Sequence, residues 1–234
     1  MKLINKEIAN WIKPYVSIIG DLNEVDESLK RTHPSKYFVN LTIPEQFEKY
    51  AISLHSYWLN DKLPIDKIVK MKNCDKEFTS EDYERITWED FYFKKGKSFK
   101  LEEAILDSVN CINPSIQLSN EFHPSEGDMD IEQLSSITKE IQSLYGNQEI
   151  EVFFHFLATK NWDDSLLFEC TISQLLELIA QNEFNNTPSL IYAKDKSWVI
   201  NTDYDLSFST IGGESKLINR ILENHNKEIF EVSI

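Results

Sequence analysis

A chain of 234 residues with 41% hydrophobic side chains, including 14 Phe, 9 Tyr and 5 Trp, carries enough apolar surface for a packed core, which excludes a disordered or fibrous protein. The formal charge of -15, from 24 Lys and Arg against 39 Asp and Glu, disfavours nucleic acid and anionic lipid, because binding either requires basic groups that neutralise phosphate. The charge is also asymmetric: residues 1–117 hold 17 basic against 19 acidic side chains, and residues 118–234 hold 7 against 20, so the second half suits a basic protein partner.

The start of the chain places Lys6, Glu7 and Lys13 among its apolar residues and has no run long enough for a signal peptide or a membrane span, so a cytoplasmic location is expected. Leu3, Ile4, Ile8, Trp11 and Ile12 stand near helical spacing and predict a short helix over 2–12, ended by Pro14. Residues 20–36 are polar and rich in turn formers, which reads as a loop. "YFVNLTI" (37–43) then reads as a strand. In "PEQFEKYAISLHSYWLN" (44–60), Pro44 sits at a first helical position, and Phe47, Tyr50, Ala51, Leu54, Tyr57 and Trp58 share one helical face, so a helix is predicted.

Ser80 is a good N-cap, and in the stretch that follows helical character breaks near Thr87 and restarts with Thr87 capping toward Asp90. "FYFKKGKSFK" (91–100) reads as a hairpin or helix end, or as an intramolecular complement to the acidic half. "LEEAILDSVN" (101–110) is a helix, and 128–145 keeps helical spacing through Ile131, Leu134, Ile137, Ile141 and Leu144 until Gly146. "EIEVFFHFLA" is a central strand, "ISQLLELIAQ" a helix, and "SLIYA" and "SWVINT" are strands around a Lys-Asp-Lys turn. "LSFSTI" is a third strand, "SKLINRIL" a helix and "EIFEV" a last strand.

Consecutive strands form a meander, so the expected fold is α+β: a helical N-terminal half packed on a C-terminal mixed or antiparallel sheet with flanking helices. One domain over 1–234 is expected, with a possible subdivision into 1–117, mostly helical, and 118–234, acidic α+β; residues 113–128 are the best linker candidate. Cys74, Cys111 and Cys170 are odd in number and widely spaced, which suits reduced thiols.

Catalytic signatures are scarce. The five histidines show no zinc-binding spacing, there is no Gly-x-Ser-x-Gly elbow, and no cofactor is expected. His155 reads as a core or strand-edge histidine, with Cys170 a nucleophile for it only if the fold joins them. "HPSEGDMD" (123–130) gathers His123, Glu126 and Asp128 in one loop. Grouped carboxylates can act as acid and base when burial separates their pKa values, and these three are the catalytic candidates; the simpler role is to cap the helix that follows.

Asn201, Asp203 and Asp205 match the first, third and fifth positions of a calcium loop, but Leu206 stands where Gly is needed and Gly212 where a bidentate Glu is needed. No metal site is predicted. Two readings remain: a half-buried strand with a solvated face from Asn201 to Ser209, or an Asp-Tyr-Asp turn between strands. Gly212 and Gly213 are read as supplying the backbone angles of a strand-to-helix turn, with Glu214 complementing the helix N-terminus and an anion as a further option. Asp203, Asp205 and Glu214 are the binding candidates.

"ITWEDF" (86–91), "HPSEGDM" (123–129) and "SWVINTDYDLSFSTIGG" (197–213) together resemble a family of uncharacterised bacterial proteins. The last block is also similar to acidic bacterial immunity-type proteins, which neutralise toxins by binding them. The charge asymmetry and the lack of catalytic signatures lead to a non-catalytic binding or inhibitor (immunity-like) protein using an acidic surface, and the resemblance carries over no catalytic residue. The alternative is an enzyme of unrecognised type with a carboxylate and His pocket.

Overall fold

The computed structural model describes residues 1–18, 25–61, 83–110, 121–162, 164–181, 183–225 and 227–234. Its strands are β1 (Lys2–Leu3), β2 (Lys49–Leu54), β3 (Tyr57–Leu59), β4 (Glu84–Ile86), β5 (Glu121–Phe122), β6 (Glu149–Phe154), β7 (Leu166–Thr171), β8 (Leu190–Ala193), β9 (Trp198–Asn201), β10 (Phe208–Gly213) and β11 (Ile229–Val232). The helices are α1 (Leu29–Thr32), α2 (Pro34–Thr42), α3 (Trp88–Lys94), α4 (Leu101–Asn110), α5 (Ile131–Tyr145), α6 (Leu175–Ile179) and α7 (Ser215–Asn224). The architecture is mixed α+β. Among the described residues no helix is long and apolar enough to cross a membrane.

Eight strands form one sheet in the order β1-β7-β6-β8-β9-β10-β2-β11, with antiparallel pairing throughout, and β4-β3-β5 form a second, smaller sheet. Because side chains alternate along a strand, the large sheet has two apolar faces. Ile150, Val152 and Phe154 of β6, Ile191 and Ala193 of β8, and Trp198 and Ile200 of β9 point to one cluster, under α5, α6 and α7. Phe153, Leu190, Tyr192 and Val199 point to the other, under α2, α3, α4 and the N-terminal segment through Ile8 and Ile12. Burial of both faces explains the nearly unbroken apolar runs of the strands. Each fully buried Ile, Val or Phe contributes about 1.5–3 kcal/mol.

The second half follows its periodicity closely. Helix α5 buries Leu134, Ile137 and Ile141, Asp130 caps it by accepting from Glu132 N, and Gly146 ends it at φ 71°. The β8-β9-β10 meander stands as the patterning predicts. Strand β7 was not foreseen; it pairs with β6 from Glu149↔Thr171 to Phe154↔Leu166.

The first half departs from its predicted helical character. Residues 2–12 open as edge strand β1 instead of a helix, with one helical turn only at Lys13–Tyr15. Residues 37–42 are helical, within α2, and Ile43 follows it extended, because Pro34 occupies the first helical position and Tyr37, Phe38, Val39 and Thr42 are buried against the sheet. α1 and the start of α2 likewise lie in the stretch read as a loop. Residues 44–60 contain β2 and β3, not a helix: β2 lies between β10 and β11, its residues Tyr50 to Leu54 all buried. A strand covered on both faces shows no polar alternation, so chance helical spacing of its aromatics was the only visible period. Strand β2 thus places a first-half segment inside a sheet built mainly from the second half.

At Thr87 the expected break is present: β4 ends at Ile86, and Thr87 Oγ1 accepts from Asp90 N at 3.1 Å to start α3. Replacing Thr87 with alanine should cost about 1 kcal/mol in urea denaturation, the ordinary cost of a lost N-cap. Residues 91–100 form a helix end, with Gly96 at φ 70°, and Lys95 pairs with buried Glu121 of the acidic half. Ser80, Cys74, Cys111 and residues 113–120 lie outside the described residues, while Cys170 is a free, buried thiol.

Candidate functional site

The three blocks singled out in the sequence converge on His55, at the end of β2. Trp88 Nε1 donates to the His55 carbonyl at 2.9 Å. The fully buried imidazole places Nδ1 2.7 Å from the Ser125 carbonyl, which only accepts, so Nδ1 carries the proton and Nε2 accepts from the Ser209 hydroxyl at 2.9 Å. Burial pushes the imidazole pKa down to about 4, so it is neutral at physiological pH.

The 123–130 loop lies on the 203–206 turn. Gly127 N donates to the Leu206 carbonyl at 3.0 Å, and a Cβ on Gly127 would stand 2.5 Å from Tyr204 Cα. Next to this contact, Arg85 Nε donates to Ser56 Oγ at 2.6 Å, Ser56 donates to Asp130 Oδ2 at 2.7 Å, and Arg85 also pairs with Asp130 at 3.3 Å and Glu228 at 2.7 Å.

The catalytic candidates turn to different neighbours. His123 Nε2 is 3.7 Å from Glu121 Oε2, and its ring is 5.2 Å from that of Tyr57. Glu126 faces Asp205, and burial followed by that negative charge raises its pKa. Asp128 accepts from Thr187 N at 3.0 Å, and burial, with Asp130 adding to it, raises its pKa.

The binding candidates separate as well. Asp203 is buried, accepts from Ile18 N at 2.7 Å and Asp205 N at 2.9 Å, and is pushed by burial to a pKa of about 6. Asn201 uses its amide nitrogen on the Tyr15 and Thr42 carbonyls at 2.7 and 2.8 Å. The segment is therefore the Asp-Tyr-Asp turn, and the predicted solvated face is buried from Ser207 to Thr210. These side chains tie residues 15–18 and α2 to the sheet.

Glu214 stands just past the far end of β10, about 20 Å along the strand from Phe208 at roughly 3.4 Å per residue, whereas Asp205 lies in the turn at the other end. It pairs with Lys216 at 2.8 Å and accepts from Tyr145 OH at 3.2 Å, while Glu48, not Glu214, accepts from Ser215 N at the start of α7. Gly212 and Gly213 are extended strand residues. The reason for Gly212 is close packing, since a Cβ there would meet the Phe47 ring at 2.5 Å.

His155 directly follows β6 and stacks on Tyr204 at 5.1 Å, with 11° between the rings. Cys170 pairs in register with Ile150, which sets it about 16 Å along the strand from His155, so the two do not form a nucleophile and base. Among the described residues no three His, Cys, Asp or Glu side chains are placed to share a metal ion.

A cleft of about 530 Å³ opens beside this junction, between β3 and the N-terminus of α5 on one side and α6 with residues 184–187 on the other. Its polar lining includes Ser56, Asp128, Asp130 and Asn186; its apolar lining includes Trp58, Ile131, Ile179 and Phe184. No motif in the sequence marks His55, Trp58 or residues 184–187 as site residues. The one available signal is the run Asn185-Asn186-Thr187, polar yet placed directly before a strand.

No family model, curated protein or solved structure matches the chain.

Proposed function

We propose that the protein is a non-catalytic binding protein of inhibitor or immunity type, which engages a basic protein partner through an acidic face of its second half. The observation that supports this reading is where the unbalanced charge lies. Glu132 on α5, Glu177 on α6 and Glu183 after α6 are exposed on the elements that border the cleft, and Asp128 and Asp130 line it. A face of one sign speeds encounter with the opposite sign and disfavours like-charged partners.

The catalytic candidates favour this reading over the enzyme. His123, Glu126 and Asp128 would have to act on one substrate, yet they are directed to Glu121, Asp205 and Thr187.

Immobilised protein challenged with purified basic and acidic proteins of matched size should retain the basic ones at about 50 mM salt and release them near 500 mM, where the Debye length shrinks from about 14 Å to about 4 Å. Equal retention of acidic and basic proteins, or retention indifferent to salt, would overturn the reading.

A further inference from the structure

The cleft contains a charge imbalance that its own residues do not settle. Asp128 and Asp130 line it, and among the described residues no Lys or Arg lines it. Arg85 pairs with Asp130 and also with Glu228, so one guanidinium serves both, while Asp128 accepts from the Thr187 amide. Facing these carboxylates, Trp58, Ile179, Phe184 and Ile131, the last 48% exposed, offer apolar surface of the kind that the methylene stem of a long cationic side chain covers. The volume falls within the range of about 300–1,000 Å³ typical of binding clefts.

A second observation points to a protein as the source of the cation. The loop after β6 is joined to the cleft wall by the Thr159↔Phe184 bridge, by Asn185 N donating to the Ala158 carbonyl at 2.9 Å and by Lys160 N donating to the Glu183 carbonyl at 2.9 Å. That loop carries Phe156, 38% exposed, and Trp162, 65% exposed. Trp162 has φ 54°, a left-handed conformation rare for a bulky residue. Tryptophan is among the residue types that carry most of the binding energy at protein interfaces, and here it is exposed on a loop tied to the cleft wall.

We propose that this cleft receives a lysine or arginine side chain of a protein partner, its cationic head set on Asp128 and Asp130 and the partner's adjoining surface resting on the Phe156 and Trp162 loop. The proposal rests on the acidic-face reading and assigns it a place and a chemistry.

The test titrates the isotope-labelled full chain with two short peptides, acetyl-Leu-Arg-Leu-amide and its neutral isostere acetyl-Leu-citrulline-Leu-amide, while amide resonances are followed. The arginine peptide should shift Met129, Ile131, Asn186 and Thr187, and the citrulline peptide should bind at least roughly tenfold more weakly, the factor expected when a charge-assisted contact becomes neutral. Asp128→Asn, which keeps an oxygen for Thr187 N, should bring the arginine peptide down to the citrulline level. Trp162→Ala, at an exposed position, should weaken both peptides and leave the melting temperature within a few degrees.

Equal binding of the two peptides, or shifts unaffected by Asp128→Asn in a folded variant, overturns the proposal. Salt-sensitive arginine shifts confined to another acidic surface would overturn the cleft while leaving the binding reading intact. Absence of binding to the arginine peptide and to basic proteins alike would overturn both.

Discussion

Gly127→Ala is expected to destabilise the protein by about 4 kcal/mol or more, in the exceptional range for one methyl group. Gly127 has φ 62°, and an added Cβ would meet Tyr204 Cα at 2.5 Å, a backbone atom that no rotamer change can remove. Relieving the clash means separating the 123–130 loop from the 203–206 turn, which breaks the Gly127 N to Leu206 O bond and disturbs the His55 contacts with Ser125 and Ser209. Three other glycines calibrate the effect. Gly96 and Gly146 also have positive φ but open space at Cβ, so alanine there should cost only about 1 kcal/mol of backbone preference. Gly212→Ala should fall between, because its clash is with the ring of half-buried Phe47, which can swing aside. Urea denaturation of the four variants should give the order Gly127, then Gly212, then the other two. A Gly127→Ala loss equal to that of Gly96→Ala would show that the loop and turn do not pack as described.

The second large effect is the pH dependence carried by His55. Its folded pKa of about 4 lies below the unfolded value near 6.5, so the unfolded chain takes up the proton first as pH falls. The stabilisation associated with neutral His55 is therefore complete above about pH 6.5 and is lost as pH falls toward about 4. Between about pH 7.5 and pH 5 the loss amounts to about 2 kcal/mol. Asp203 acts in the opposite sense: raised to about 6, it favours the folded state below its unfolded value near 3.8, and that contribution is lost as pH rises through about 6. The two terms offset each other in the wild type, so the measurement is a difference. The stability advantage of wild type over His55→Gln should shrink by about 2 kcal/mol between about pH 7.5 and pH 5, and that over Asp203→Asn should grow. In the same pH range the His55 ring should remain neutral by NMR. Protonation of His55 near 6.5 would refute the buried, doubly bonded imidazole.

How far the sequence could be read depends on which face of each element meets water. Helix α5 has one dry face and one wet face, so Leu134, Ile137 and Ile141 recur at helical spacing and its caps at Asp130 and Gly146 are visible in the chain. Strand β2 has no wet face, so its pattern holds no period that distinguishes strand from helix, and the presence of Pro44 shortly before it favours the wrong choice. Helix α2 shows the converse error: a β-branched and aromatic composition is overridden by burial of Tyr37, Phe38 and Val39 against the sheet.

Composition, charge and local patterning determined that the chain folds, that its acidic excess lies in the second half and, β7 apart, the order of the second-half elements. Only the tertiary structure decided that β2 enters the sheet between β10 and β11, that Gly212 is required by the Phe47 ring and not by its own backbone angles, and that Asp203 serves the backbone of residue 18. His55 gathers Trp88, Ser125 and Ser209 from positions 33, 70 and 154 residues away. Local patterning records which side of an element is apolar, whereas the partner of a buried polar group is chosen by chain crossings far away in sequence, and that choice leaves no period to read.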